Sequence, residues 1–170
     1  ASDQPFSQAV ERDCCTRLRE AYIAQQRAIE AESIRACETG IFVDFANMWR
    51  AFRLQHGDRT RQTNLDFDAI AAHYAPFGRV YKFAAVPEFY VSRGPAQELT
   101  ELERAGWDVR RVKPPADDSE EGSSWRRGMD EKDDSALVQA ANRFLELADP
   151  RQLVLVSNDK DYGQLVERAR

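Results

Sequence analysis

The sequence predicts an α/β fold, a three-layer α/β/α arrangement with a central, mainly parallel sheet, preceded by a long N-terminal helix. Apolar segments of strand length alternate with segments of helical periodicity, and this alternation indicates parallel strands joined by crossover helices. The predicted strands are almost continuously apolar, which is typical of a sheet covered on both faces. The 170 residues suffice for one domain. We expect a helical extension over residues 1–39 and the α/β domain over residues 40–170.

The first predicted element is a helix over residues 7–37, because this segment contains no glycine or proline. Its apolar side chains recur near one face, at Val10, Cys14, Leu18, Tyr22 and Ile29. Such a stripe suits packing on the domain, pairing with a second copy of the chain in a homodimer, or both. Gly40 ends the segment.

Strands and helices alternate after Gly40. Apolar runs rich in β-branched and aromatic residues predict strands over 41–45, 79–86, 107–113 and 152–157. Helical spacing predicts helices over 64–78, 94–106 and 133–148, and another from 162 onward. Asn64 is the expected N-cap of the first of these, and Gly78 and Gly106 are expected stops. The segment 114–129, rich in proline, serine, glycine and acidic residues, is expected to be a loop.

One predicted helix, 133–148, has a clear inward face. The side chains expected to point into the core are Ala136, Leu137, Ala140, Ala141, Phe144 and Leu145. They recur at three- and four-residue spacing, as a helix packed on a sheet requires.

Composition excludes several classes of protein. The formal net charge of −5 argues against non-specific polyanion binding by the whole surface. No apolar run approaches the roughly 18 residues of a membrane span, and the N-terminus lacks the apolar segment of a secretory signal. Three clustered cysteines without a CxxC pair, and two histidines, suggest neither a disulfide framework nor a zinc site. We therefore expect a cytoplasmic protein with reduced cysteines and no membrane partner.

Acidic residues cluster where the first and last predicted strands end. Asp44 ends the first strand, and Asn47 follows three residues later. The last strand runs into a polar segment containing Ser157, Asn158, Asp159 and Asp161, and the helix before it opens with Asp133 and Asp134. Ligands of open α/β sheets bind beyond the carboxyl ends of the strands. If the first and last strands are neighbours, at least three carboxylates converge there.

Converging carboxylates are costly unless a cation neutralises them. Oxygen ligands without histidine or cysteine suit Mg²⁺ or Mn²⁺, which can activate water and stabilise a phosphate during in-line displacement. Capping is the alternative role for Asp133 or Asp159, whereas we expect no cap to be needed at Asp44. The hypothesis of a metal site rests on the joint occurrence of Asp44, Asn47, Asp134, Asp159 and Asp161.

Three segments together resemble the NYN domain, a branch of the PIN-like metal-dependent ribonucleases. They are "IFVDFANMW" with its D-x-x-N spacing, the "DDSAL" helix opening, and "LVLVSNDKDYGQLVERAR". The family's last motif commonly reads S-G-D-S-D-F, followed by a helix with L-V. Residues 157–162 correspond to it here, followed by Leu165 and Val166. The resemblance spans about residues 40–170.

The resemblance implies a PIN-like fold, Mg²⁺ or Mn²⁺ as cofactor, RNA as substrate and endoribonucleolytic hydrolysis of phosphodiester bonds. Asn47 would orient a coordinated water or a phosphate, and Ser157 would hydrogen-bond within the site. By position, the metal-binding acids would be Asp44, Asp134 and Asp159, with Asp161 nearby.

Basic and aromatic residues near these motifs are candidates for holding RNA. Trp49 or Phe52 would offer a stacking face for a base, unless both rings belong to the core. Lys160 lies inside the acidic motif, where it can contact a phosphate. Arg126, Arg127 and Lys132, which border the predicted loop, are further candidates. The predicted substrate-binding residues are Arg50, Arg53, Ser157, Asn158 and Lys160.

Departures from the family pattern keep a second function open. Asn158 stands where the family has a small glycine, and Ala140 stands where it often has a further acid. Ala140 and the net acidity favour, as the alternative, a catalytically weak or inactive PIN-like RNA-binding or regulatory module. A phosphatase of the haloacid-dehalogenase type would need a second acid at Ala46. A dinucleotide-binding enzyme would need a G-x-G-x-x-G after the first strand.

Overall fold

The computed structural model of the chain describes residues 4–56, 66–88, 96–113 and 122–170, with side chains except at 4–12, 53, 56, 96–98 and 122–133. The described helices are α1 (Gln4–Arg35), α2 (Phe45–His56), α3 (Phe67–Tyr74), α4 (Ala96–Arg104), α5 (Gly122–Leu147) and α6 (Gly163–Arg168). The described strands are β1 (Thr39–Asp44), β2 (Val80–Pro87), β3 (Asp108–Val112) and β4 (Gln152–Val156). Short 3₁₀ helices follow α3 at Ala75–Phe77 and precede α6 at Lys160–Tyr162.

The four described strands form one parallel sheet in the order β3-β2-β1-β4. The register pairs Val43 of β1 with Val156 of β4. Because these strands are parallel, Asp44 at the end of β1 and Ser157 just after β4 emerge at the same edge of the sheet. We call this the carboxyl edge, and the opposite edge, where the strands begin, the amino edge.

The central strands are buried from both sides. Ile41 and Val43 belong to one core cluster, whereas Phe42 between them belongs to the other. Alternate residues of a strand point to opposite faces of a sheet, so the two clusters lie on opposite faces. The fold is thus α/β with an all-parallel sheet and an N-terminal helix, consistent with the three-layer arrangement that the sequence predicts.

Each predicted strand and helix has a counterpart in the described ranges, whereas α2 was not among the predictions. On α5 the residues expected to face inward do so: Leu137, Ala140, Ala141 and Phe144 are buried, and Ala136 and Leu145 are partly buried against them. Gly78 and Gly106 follow the helices that they were expected to stop, with φ of 127° and 80°. These left-handed values favour glycine over residues that carry a Cβ.

The N-terminal helix α1 is confirmed, with its C-terminal end held against the domain. Ile34 is buried in the core, and Glu30 forms an ion pair with Arg143 of α5 at 3.2 Å. Leu18 and Tyr22, which lie closer to the N-terminus of the helix, are exposed. Pairing of α1 with a second copy of the chain stays a prediction. Within the described residues, no helix combines the length and the apolar character needed to cross a membrane.

Two predictions of local structure need correction. The loop expected over 114–129 is wrong from Gly122 onward, because α5 already begins there. The segment 122–133 contains no proline, and the helix continues through its serines and Gly128. Asn64 lies outside the described residues, and the N-cap of α3 is Asp66, whose Oδ1 accepts the Ala69 N–H at 2.8 Å. The helix α2 had not been identified as an element of its own.

Candidate active site at the carboxyl edge of the sheet

Asp44 ends the central strand and is only 4% exposed. Strand β1 runs into α2 without a loop, and Asp44 Oδ1 accepts the Asn47 backbone N–H at 2.9 Å. This contact caps the first turn of α2. The expectation that no cap is needed at Asp44 is therefore wrong, because a helix starts at the very next residue.

The other oxygen of Asp44 links β1 to the segment that follows β4. Asp44 Oδ2 accepts a hydrogen bond from the Ser157 hydroxyl at 2.9 Å and lies 3.3 Å from the Tyr162 hydroxyl oxygen. Capping thus accounts for Oδ1 alone. The contacts of Oδ2 exist because β1 and β4 are parallel neighbours that end together.

The electrostatic surroundings of Asp44 are unfavourable to its charge. Burial raises the pKa of the Asp44 carboxyl above its ordinary value, and the negative charge of Asp159 raises it further. Hydrogen bonds from the Asn47 N–H and from the Ser157 and Tyr162 hydroxyls act in the opposite direction. These are neutral donors, and no cationic side chain of the described residues is among the groups that lower this pKa. Among the described residues, the groups that favour the ionised form of Asp44 are therefore hydrogen-bond donors without charge.

The turn after β4 is held by its own side chains. Ser157 Oγ accepts the Asp159 N–H at 3.0 Å, and Asp159 Oδ1 accepts the Asp161 N–H at 3.0 Å. Asp159 is the N-cap of the following 3₁₀ helix, so the capping role considered for it is confirmed. The Asn158 N–H donates to Asn47 Oδ1 at 3.3 Å, which ties this turn to the start of α2.

Tyr162 is a member of the site that the sequence analysis did not single out. Its hydroxyl donates to Asp134 Oδ1 at 2.5 Å and also approaches Asp44 Oδ2. Helix α5 thereby brings a second carboxylate to the end of β1. The one signal in the sequence was that a hydroxyl-bearing tyrosine directly follows the acidic motif.

One hydrogen-bond network therefore contains most of the predicted site residues. Its members are Asp44, Asn47, Asp134, Ser157, Asn158, Asp159 and Tyr162. Asp161 takes part only through its backbone N–H, and its side chain is exposed. Lys160 is exposed as well. Ala140 is 7% exposed and packs in the core.

The predicted RNA-binding residues are described in part. Trp49 and Phe52 of α2 are half-buried and stack with ring centroids 5.8 Å apart, and Trp49 also stacks on the buried Phe45 at 6.3 Å. Arg50 is exposed on the same helix. The side chains of Arg53, Asp133, Arg126, Arg127 and Lys132 lie outside the described residues.

The donor chemistry of the network fits a hard divalent cation. Asp44, Asp134 and Asp159 present carboxylate oxygens, the ligands that Mg²⁺ and Mn²⁺ prefer. The charge of Asp44 also lacks a cationic partner among the described residues. In the described ranges, however, no three or more histidine, cysteine, aspartate or glutamate side chains are grouped so as to hold a metal ion. The residues fit in donor type and charge, and the observed spacing does not form a complete set of ligands.

Compared with known proteins, the chain matches no family model, no curated protein and no solved structure.

Proposed function

We propose that this protein is a divalent-metal-dependent endoribonuclease with a PIN-like, three-layer α/β/α domain. One observation carries the proposal. Three separate elements, β1, α5 and the turn after β4, bring acidic side chains into a single network at the carboxyl edge of a parallel sheet. Ligands of open α/β sheets bind at this edge. The hydroxyl and amide donors that favour ionised Asp44 are neutral, and in this proposal a cation balances the charge of Asp44.

In this proposal Asp44, Asp134 and Asp159 hold Mg²⁺ or Mn²⁺. The cation supplies positive charge that stabilises a phosphodiester group as it is displaced. Asn47 is placed to orient the phosphate or a water, because its Oδ1 already faces the turn after β4 through the Asn158 N–H. Ser157 fixes the distance between Asp44 and that turn. Asp161 lies at the rim, where its exposed carboxylate has the smallest role of the four acids.

The surface beside the site suits single-stranded RNA. Helix α2 leaves the site directly and carries the half-buried Trp49 and Phe52 together with the exposed Arg50. Aromatic rings next to cations are a common platform for unpaired bases and their phosphates. Lys160 and Asn158 are exposed in the turn after β4, and in this proposal they contact a second phosphate. Arg53 belongs to the same proposed surface.

The proposal is tested by incubating the purified protein with end-labelled single-stranded RNA and with DNA of the same sequence. Parallel reactions contain Mn²⁺, Mg²⁺ or excess EDTA, and Asp159→Asn is the matched variant. We expect RNA cleavage that requires metal and is lost in the variant. No cleavage with either metal, from protein shown to be folded by circular dichroism, would contradict the proposal. RNA binding retained in that case would favour the catalytically inactive module, which the buried Ala140 also suits.

A further inference from the structure

The hydroxyl of Tyr162 lies between two carboxylates that come from different elements. It donates to Asp134 Oδ1 of α5 at 2.5 Å, and it lies 3.3 Å from Asp44 Oδ2 at the end of β1. A phenol has one hydrogen to donate. An oxygen of each carboxylate lies within hydrogen-bond distance of this one donor, so the Tyr162 hydroxyl links the two acids.

The ring of Tyr162 cannot easily move away from this position. The residue is 3% exposed and belongs to the buried cluster that includes Leu137, Phe144 and Leu165. Protein interiors are closely packed, so the position of the hydroxyl is set by the core and not by the two acids. The 3₁₀ helix that carries Tyr162 is itself capped by Asp159. One residue thus connects the core, the acidic turn and both acids.

We propose that Tyr162 is a positioning residue that holds Asp44 and Asp134 at the separation required to share a divalent cation. Its hydroxyl occupies one oxygen of each carboxylate and orients the two groups with respect to each other. Partners of this kind, which contact the ligands and not the metal, commonly determine metal affinity. The inference rests on the proposed metal-dependent function and adds a residue to it.

The test is the affinity of the metal-free protein for Mn²⁺, measured by isothermal titration calorimetry on Tyr162→Phe. Phenylalanine keeps the ring in the core and removes only the hydroxyl. We expect the dissociation constant for Mn²⁺ to rise about 10- to 100-fold, the loss typical of removing such a partner. Cleavage at saturating Mn²⁺ should return most of the way to the parent rate, because the ligands themselves remain. A purely structural role would lower the melting temperature in EDTA and leave the dissociation constant for Mn²⁺ of the folded variant unchanged.

The matched control is Tyr81→Phe. Tyr81 also donates its hydroxyl to a carboxylate, Asp108 Oδ2 at 2.7 Å, but at the amino edge of the sheet. This variant should bind Mn²⁺ as the parent does. Circular dichroism melts in EDTA establish the temperature range in which each variant is folded, and the titrations are made within it.

The possible results separate this inference from the proposed function. If the parent binds Mn²⁺ and Tyr162→Phe alone binds it more weakly, the positioning role is supported. If the parent binds Mn²⁺ and cleaves RNA, and Tyr162→Phe binds Mn²⁺ equally well, the positioning role is overturned while the function stands. If the parent binds no Mn²⁺ at millimolar concentration, the metal-dependent function fails and this inference fails with it.

Discussion

The two edges of the sheet each place a tyrosine hydroxyl against an aspartate, and they differ in the charges around that contact. At the amino edge Tyr81 donates to Asp108, and both residues line a cavity together with Lys82 and Arg110. At the carboxyl edge Tyr162 meets two carboxylates, and the charge of Asp159 acts on one of them. Similar pairs of residues thus lie in opposite electrostatic settings.

This difference in charge distinguishes the Tyr81–Asp108 contact, which we regard as structural, from the candidate site around Asp44. The amino edge contains both signs of charge: burial, Asp108 and Glu30 raise the pKa of Tyr81, and Arg110 acts in the opposite direction. At the carboxyl edge the groups that favour the ionised form of Asp44 are hydrogen-bond donors without charge. A buried carboxylate without a positively charged neighbour lowers the stability of the folded state. The position of Asp44 therefore suggests a site that binds a cation.

The largest expected difference between the edges is in catalysis. Asp44→Asn should lower the rate of RNA cleavage by roughly 100- to 1000-fold, the magnitude of losing one preorganised electrostatic contact. Asp108→Asn, the matched change at the amino edge, should leave the rate within the error of the assay. Single-turnover cleavage in Mn²⁺ measures both. Equal losses of cleavage rate in the two variants would mean that the loss comes from reduced stability and not from a change in the active site.

Metal binding should stabilise the protein through the carboxyl edge only. At a Mn²⁺ concentration about 100 times the dissociation constant, the free energy of unfolding should rise by about 2.7 kcal/mol. Asp44→Asn should lose this gain, and Asp108→Asn should keep it. Urea unfolding with and without Mn²⁺ provides the measurement. A gain that survives in Asp44→Asn would place the cation elsewhere on the molecule.

Removing the hydroxyl at the amino edge should affect stability alone. Tyr81→Phe loses one hydrogen bond to a carboxylate, so the free energy of unfolding should fall by about 1–2 kcal/mol. The rate of RNA cleavage should be unchanged at a temperature where the variant is folded. Urea unfolding and the cleavage assay on the same preparation test this. A marked fall in the cleavage rate of folded Tyr81→Phe would show that the edges are coupled.

The smallest expected effect is the dependence of stability on pH in EDTA. The pKa of Asp44 is raised in the folded state, so folding favours its neutral form. Its stabilising contribution is therefore complete below the unfolded pKa of about 3.9 and is lost as pH rises through the folded pKa. From pH 4 to pH 7 the parent should lose more stability than Asp44→Asn. The free energy of unfolding is measured with urea at each pH. If it falls equally with pH in the parent and in Asp44→Asn, burial of Asp44 does not disfavour its charge.

The sequence could predict which strand-end residues belong to the site, because the carboxyl ends of parallel strands lie at the same edge of the sheet. Asp44 and Ser157 were expected to meet if the first and last strands were neighbours, and β1 and β4 are paired. The role of Tyr162 could not be predicted in this way, since it depends on how α5 and the 3₁₀ helix pack against the core. The capping role of Asp44 was missed for a related reason, because apolar periodicity did not reveal that α2 starts directly after β1.

The central claim, that the acids of the carboxyl edge together hold a divalent cation, is tested most directly by crystallography. Crystals soaked in Mn²⁺ give an anomalous signal that locates the ion without reference to activity. We expect a peak about 2.0–2.2 Å from carboxylate oxygens of Asp44 and Asp134, the range of metal–oxygen distances for small divalent cations, with Asp159 adjacent. Crystals whose manganese peaks lie only at other positions, at millimolar Mn²⁺, would contradict the account.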